Sequence, residues 1–262
     1  MVGSYALVIV APLTLFCAAA GNAHMLETET SRLQPARTWE LGAASEYQTS
    51  GDASEQAVPL FIEYGLTDAI ELTLEPVVYT AIFPGGSASA IGRGDTEFTA
   101  TFLFAREGRV RPARSLAAEV KFPIATNTLI GTGETDYALY LIGSKRFGKW
   151  ELSANVGFTY LGSPPGVYLG AVFNGAFAAV YHASREFQLF TEVFGNSASA
   201  YNGESGGGGG SSVVIPEATG SEVVGTLGIA HTLGSKVLAY PGVSYDTNNA
   251  VLFRPGFTVN LP

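Results

Sequence analysis

At 262 residues, 47% of them hydrophobic and only 14% charged, the chain has the length of one domain and too little charge for an ordinary soluble surface. Its net charge of −9 excludes nucleic-acid recognition, which needs a basic footprint. The 32 glycines and 12 tyrosines fit a chain built of strands and turns.

The first element is a leader. Residues 1–23, "MVGSYALVIVAPLTLFCAAAGNA", carry no charged side chain, and Tyr5 to Ala20 is an apolar run of signal-peptide length. It is too short for a spanning helix, which needs about 20 apolar residues. Gly21-Asn22-Ala23 offers small residues at −3 and −1, so cleavage is expected after Ala23. Phe16 before Cys17 is unsuited to lipidation, and cleavage leaves a mature chain, 24–262, with no cysteine. An exported protein without disulfides must be held by other means.

After the leader, apolar and polar residues alternate along the chain. Residues 38–47 set Trp39, Leu41, Ala43 and Tyr47 against Glu40, Gly42, Ala44 and Glu46. Residues 57–66 set Val58, Leu60, Ile62 and Tyr64 against Phe61, Glu63 and Gly65. After a turn at Thr67-Asp68-Ala69, Ile70, Leu72, Leu74 and Val78 oppose Glu71, Thr73, Glu75 and Tyr79. The pattern recurs in "GDTEFTATFLF", "SLAAEVKF" and "DYALYLI", which place Glu97, Glu119, Lys121, Asp136 and Tyr140 on the polar side. In "KWELSANVGFTY", Trp150, Leu152, Ala154, Val156, Phe158 and Tyr160 alternate with Glu151, Ser153, Asn155, Gly157 and Thr159. Softer versions follow at 168–181, 187–195, 221–231, 236–246 and 251–261, bringing Glu192, Tyr240 and Arg254 to the polar side. Period two at this length predicts about 12 strands, within a range of 10 to 14.

Such alternation fits a soluble sandwich as well as a membrane barrel, and two features decide between them. Connections alternate in length: 67–69, 105–111, 145–149, 182–186 and 232–236 are short, whereas 80–93, 123–133 and 196–220 are long. Outer-membrane barrels pair short periplasmic turns with longer outside loops in this way. The apolar face is also aromatic and nearly free of charge, as lipid demands, while carboxylates collect on the other. The expected fold is an all-β transmembrane antiparallel barrel with both termini periplasmic. It would sit in the outer membrane of a Gram-negative bacterium, its partners being outer-membrane lipid and the barrel-assembly machinery.

"FIEYGLTDAIELTLEP", "FLFAREGRVRPARSLAAEVKFP" and "GTGETDYALYLIGSKRFGKWELSANVGFTYLG", in this order and spacing, resemble the MetA-pathway of phenol degradation family of outer-membrane proteins. The resemblance runs from about residue 38 to the C-terminus. It implies an outer-membrane transporter linked to aromatic-compound catabolism. The chain departs from the usual barrel ending: Val259-Asn260-Leu261-Pro262 lacks the terminal aromatic read by the assembly machinery, and assembly is expected to be less efficient for it.

The inward residues define the candidate path for a small-molecule solute: Glu63, Glu71, Glu75, Tyr79, Glu97, Glu119, Lys121, Asp136, Tyr140, Glu151, Glu192, Tyr240 and Arg254. The carboxylates would favour cations, and the tyrosines offer stacking and hydrogen bonds. The alternative is that carboxylates and cations pair across the lumen and plug it, leaving a structural or surface-binding barrel; a barrel of 12 strands lies between side-chain-filled and open sizes. A third reading, a secreted lipocalin-like carrier, would need no detergent. The glycine-rich 203–212 reads as a surface loop. "IGTGETDY" lacks the Gly-Lys-Ser/Thr ending and precedes a strand, so it is no nucleotide loop. "REGRVRPAR" falls in a short turn. His24, His182 and His231 do not meet a nucleophile at the outer rim, and without cysteine no metal site or cofactor is expected, nor an enzyme.

Overall fold

The computed structural model describes residues 28–85, 88–165, 168–199, 221–234 and 236–262, and the described residues are strands, turns and connecting loops. The leader, its cleavage point and residues 203–212 lie outside them. Fourteen segments follow in chain order. They are β1 (Trp39–Ala44), β2 (Glu46–Ser50), β3 (Ala53–Thr67), β4 (Ile70–Phe83), β5 (Ala90–Gly92), β6 (Thr96–Ala105) and β7 (Ala113–Phe122). Then come β8 (Asp136–Phe147), β9 (Trp150–Tyr160), β10 (Ala171–His182), β11 (Phe187–Asn196), β12 (Glu222–Leu233), β13 (Val237–Asp246) and β14 (Val251–Leu261).

β1 and β2 both lie between β3 and β14, and β5 and β6 both pair with β4, so each couple is one interrupted strand of a 12-stranded wall. Every neighbour is antiparallel, and the wall closes where Trp39 pairs with Leu261 and Ala44 with Gly256. At the interruption Ser45 N–H still donates to Pro255 O at 2.9 Å. Closure leaves no open edge, the condition a sheet must meet in lipid.

The side chains sort as the alternation requires. In β9, Trp150, Val156, Phe158 and Tyr160 are exposed, whereas Glu151, Ser153 and Asn155 are buried. Ring pairs Trp39–Tyr64 (4.3 Å) and Trp150–Tyr181 (4.8 Å) mark the short-turn end of this outer face. Phe158–Phe173 (5.1 Å) lies toward the long-loop end. Two aromatic levels flanking an apolar band are what a membrane barrel presents to its two interfaces.

Two expectations about local geometry are corrected. The turn expected at 145–149 is shorter: β8 runs to Phe147 and pairs it with Trp150, because Gly148 takes a φ of 59° that a two-residue hairpin needs. The second concerns Tyr79. A register shift between Val58 and Pro59 makes Tyr79 the partner of Val58 and Val77 the partner of Pro59. The bulge reverses the alternation beyond Val77, so Tyr79 stands on the outer face, 38% exposed, and Thr80 and Ile82 take the inward positions.

Inside, β10–β13 contribute a packed apolar patch of Val180, Phe190, Ala230, Leu238 and Tyr240. Tyr240 lies flat on Gly256, where an added Cβ would come within 2.6 Å of its ring. The opposite wall is lined with carboxylates. Between the two walls runs a segment that sequence periodicity did not announce: residues 28–38 enter the barrel at the short-turn end and lie within the lumen.

Candidate functional site

The lumen divides into two halves with different chemistry. In the half nearest the short turns, the segment 28–38 meets the carboxylate wall. Its entry is fixed at Gly65, whose N–H donates to Thr38 O (3.0 Å) and whose O accepts from Arg37 N–H (2.6 Å). Arg37 adopts a φ of 65° to make this turn. A Cβ on Gly65 would collide with the carbonyl groups of Gln34 and Pro35, so only glycine lets the segment pass so close to the wall.

From there the segment meets acids and uncharged polar groups of the wall in turn. The Gln34 N–H donates to Glu71, and its side-chain amide donates to Glu40 (3.2 Å) and Glu63 (3.4 Å). Glu40 and Glu63 are direct cross-strand partners, an arrangement that repels unless something positive or N–H-bearing lies between them. Arg32 places Nε 2.6 Å from Glu151 and Nη2 2.8 Å from Glu107. Ser31 N–H donates to Ser144 Oγ (2.8 Å), which lies 2.9 Å from Ser153 Oγ. With its amide oriented to satisfy both atoms, Asn155 brackets the backbone of Glu29. Thr28 N–H reaches Glu192 Oε2 at 2.7 Å. A chain segment thus supplies the donors that the wall lacks, which is how a buried carboxylate avoids the cost of standing unpaired.

Glu107, in the turn between β6 and β7, folds up as a cap on this half. Lys145 Nζ sits 2.8 Å from its other oxygen, and Arg146 N–H donates to it at 3.1 Å. Burial pushes the Glu107 carboxyl up. The Lys145 and Arg146 hydrogen bonds and the charges of Arg32 and Lys145 outweigh that and hold it below the usual glutamate range.

The half nearest the long loops holds a cavity of about 470 Å³. Its wall carries a register row across β4, β6, β7 and β8: Glu75 opposite Glu97, Glu97 opposite Lys121, Lys121 opposite Asp136. Lys121 Nζ turns to Asp136 (2.6 Å) and Asp95 (3.3 Å). Glu119 lies one inward position below, 3.3 Å from Thr99 Oγ1. The connection 123–135 bends over the mouth, held by Asp95 Oδ1 accepting from Ala125 N–H (2.8 Å), and inserts Leu129 and Ile130 into the cavity.

Of the inward residues expected from the sequence, Glu63, Glu71, Glu151 and Glu192 meet the segment. Glu75, Glu97, Glu119, Lys121, Asp136 and Tyr140 line the cavity. Tyr240 belongs to the apolar patch. Arg254 lies 2.9 Å from Glu46 and its guanidinium 5.2 Å from the Phe61 ring. Tyr79 is outside, as described above. Sequence reasoning missed Arg32, Gln34 and Glu107. The available signal was the stretch "TETSRLQPAR" (28–37), polar and without period two, yet placed before the first strand of a barrel whose wall has more carboxylates than cations.

A closed antiparallel wall, lipid-type outer face and polar lumen define the fold as that of the outer-membrane β-barrels. Solved structures agree. The COG4313 outer membrane channel from Pseudomonas putida F1 superposes with a TM-score of 0.68 at 12% identity, covering 90% of this chain and all of that one. The NanC porin gives 0.57 at 11% identity, over 84% of this chain and 98% of that one. The KdgM porin, solved in complex with oligogalacturonate, gives 0.54 at 9% identity, over 84% and 98%. At such identities the likeness is one of fold. No protein-family model matches the chain, and no curated protein matches it by sequence.

Proposed function

We propose that the protein is an outer-membrane channel for small molecules, with aromatic or hydrophobic compounds favoured by its resemblance to the MetA-pathway family. The short turns then face the periplasm and the long loops the exterior, as in other barrels of this kind. The observation that carries the reading is that the periplasmic half is closed by a segment outside the wall. The 12 strands already complete a cylinder without residues 28–38, so withdrawing the segment opens a path without breaking a strand pairing. The exterior half is already a cavity with both polar and apolar lining. No catalytic step is assigned: Glu71, Glu151 and Glu192 are engaged in holding the segment.

The experiment is single-channel recording of the refolded full chain in a planar bilayer, with and without a small aromatic solute. Discrete steps reduced by the solute are expected. A heat-modifiable, correctly folded barrel that conducts neither as the full chain nor after deletion of residues 24–36 would overturn the channel reading. It would favour the second reading, a structural barrel, which the hydrogen bonding of the segment to at least five wall strands supports.

A further inference from the structure

The basic side chains are gathered at one end of the barrel. All 14 Lys and Arg residues lie among the described residues, and all but Arg93, Lys121 and Arg254 stand at or inside the short-turn end. Lys121 and Arg254 are paired with carboxylates inside the barrel. The long-loop rim is left with Arg93 as its exposed cation.

The turn between β6 and β7 is the densest part of the basic end. "REGRVRPAR", 106–114, brings four exposed arginines, Arg106, Arg109, Arg111 and Arg114, around one acid. That acid, Glu107, is engaged by Arg32 and Lys145 instead. Arg37, Arg146, Lys149, Arg185 and Lys236 continue the row around the neighbouring short turns, all of them exposed. The other acids of these turns are Asp68 and Glu186. No ion pair joins any of these exposed cations to a carboxylate among the described residues.

The charges stand at the lipid perimeter of the wall. The Arg114 guanidinium lies 5.9 Å from the centroid of the Phe104 ring, which is 48% exposed on the outer face. The Lys149 ammonium lies 5.8 Å from the ring of Tyr181, the outward partner of Trp150. Val110, between Arg109 and Arg111, is 83% exposed. Apolar stems and rings below, with charge above, are what a bilayer surface accepts from a basic side chain. Guanidinium groups in turn match phosphate oxygens with paired N–H donors. An acidic protein partner would call for cations on one face, whereas these follow the rim from Arg37 to Lys236.

We propose that the short-turn rim, centred on the β6–β7 turn, binds the phosphates of anionic phospholipids in the leaflet it faces. The long-loop rim, with Arg93 alone, gains little from the same lipid, so the headgroups also favour one orientation of the barrel. The inference takes the membrane placement of the fold and does not depend on whether the lumen conducts.

The two tryptophans supply the readout, since Trp39 and Trp150 both stand outward at the short-turn end. The full chain carrying Trp39→Phe is refolded into phosphatidylcholine bilayers. Trp150, on the hairpin against which Glu107 packs, is then quenched with brominated phosphatidylglycerol or brominated phosphatidylcholine. The anionic lipid is expected to bind with a relative constant of about five or more, roughly 1 kcal/mol. The preference should fall to about one in Arg109→Gln/Arg111→Gln/Arg114→Gln and at high salt, and stay unchanged in Arg93→Gln. Folding of each variant is checked by its heat-dependent gel shift, and Arg109→Gln with Arg111→Gln decides if the triple variant fails. Equal quenching by the two lipids overturns the proposal. So does a preference that survives the turn substitutions, or one that falls as far in Arg93→Gln. Equal quenching with arginine-dependent sedimentation on purified peptidoglycan overturns it in favour of an acidic wall polymer.

Discussion

The short-turn and long-loop halves of the lumen are built from the same wall and are filled differently. In the short-turn half Glu71, Glu151 and Glu192 are matched by backbone N–H groups and by Arg32 of a segment lying inside the barrel. In the long-loop half Glu75, Glu97 and Glu119 line a cavity, and Lys121 is shared between Asp95 and Asp136. The difference teaches that a carboxylate-rich interior is not itself a pore or a plug. What decides is whether the chain supplies something to lie against it.

Removing that something gives the largest expected effect. Deleting residues 24–36 should raise single-channel conductance several-fold and lower the temperature of the heat-modifiable gel shift, since Glu71, Glu151 and Glu192 all lose donors. Unchanged conductance would show that the closure lies elsewhere. Arg32→Ala removes only this residue's two links, to Glu151 and Glu107. Glu151, its side chain 4% exposed, is then left beside the His182 imidazole, whose Nε2 lies 3.6 Å away. A loss of roughly 2–3 kcal/mol in urea unfolding is expected, at or below the usual cost of breaking a buried pair because Arg32 itself is partly solvated.

Gly65→Val attacks the crossing point instead of the charges. The branched side chain collides with Gln34 and Pro35, so the segment should become cleavable by an added protease while the barrel stays folded. Acid acts more gently on the same closure. The Glu107 carboxyl is held below its ordinary value, so its contribution is complete above the usual glutamate range and is lost as pH falls through its lowered value. Conductance should therefore rise on acidification below that range, and Glu107→Gln should remove that component. The smallest effect belongs to Tyr79. Standing outside the lumen, Tyr79→Phe should leave conductance and solute block unaltered, whereas Tyr140→Phe, on the cavity wall, should change the block.

The wall was legible because period two is imposed by the backbone itself: a strand between lipid and lumen has no other way to distribute its side chains. "KWELSANVGFTY" alone distinguishes the Trp150 face from the Glu151 face. Tyr79 escaped because a bulge consumes one residue, and Val77-Val78 offers no turn residue to betray it. The segment escaped for a deeper reason. Its shape is set by partners far away in the sequence: Glu71, Ser144, Glu151 and Glu192 each come from a different strand, and no local pattern encodes their meeting. Glu107 is hidden likewise, in a turn that reads as four exposed arginines.

The inner segment also has a bearing on how the protein chooses its girth. It spans the lumen from Gln34 at the Glu40–Glu63 side to Thr28 at Glu192, touching β1, β3, β4, β8, β9 and β11 on the way. A cylinder closed with one hairpin too few would crush it, and one with a hairpin too many would leave its donors short of the acids opposite. The segment is in effect a gauge, and the penalty for each unmatched acid falls on every wrongly sized closure but not on the correct one.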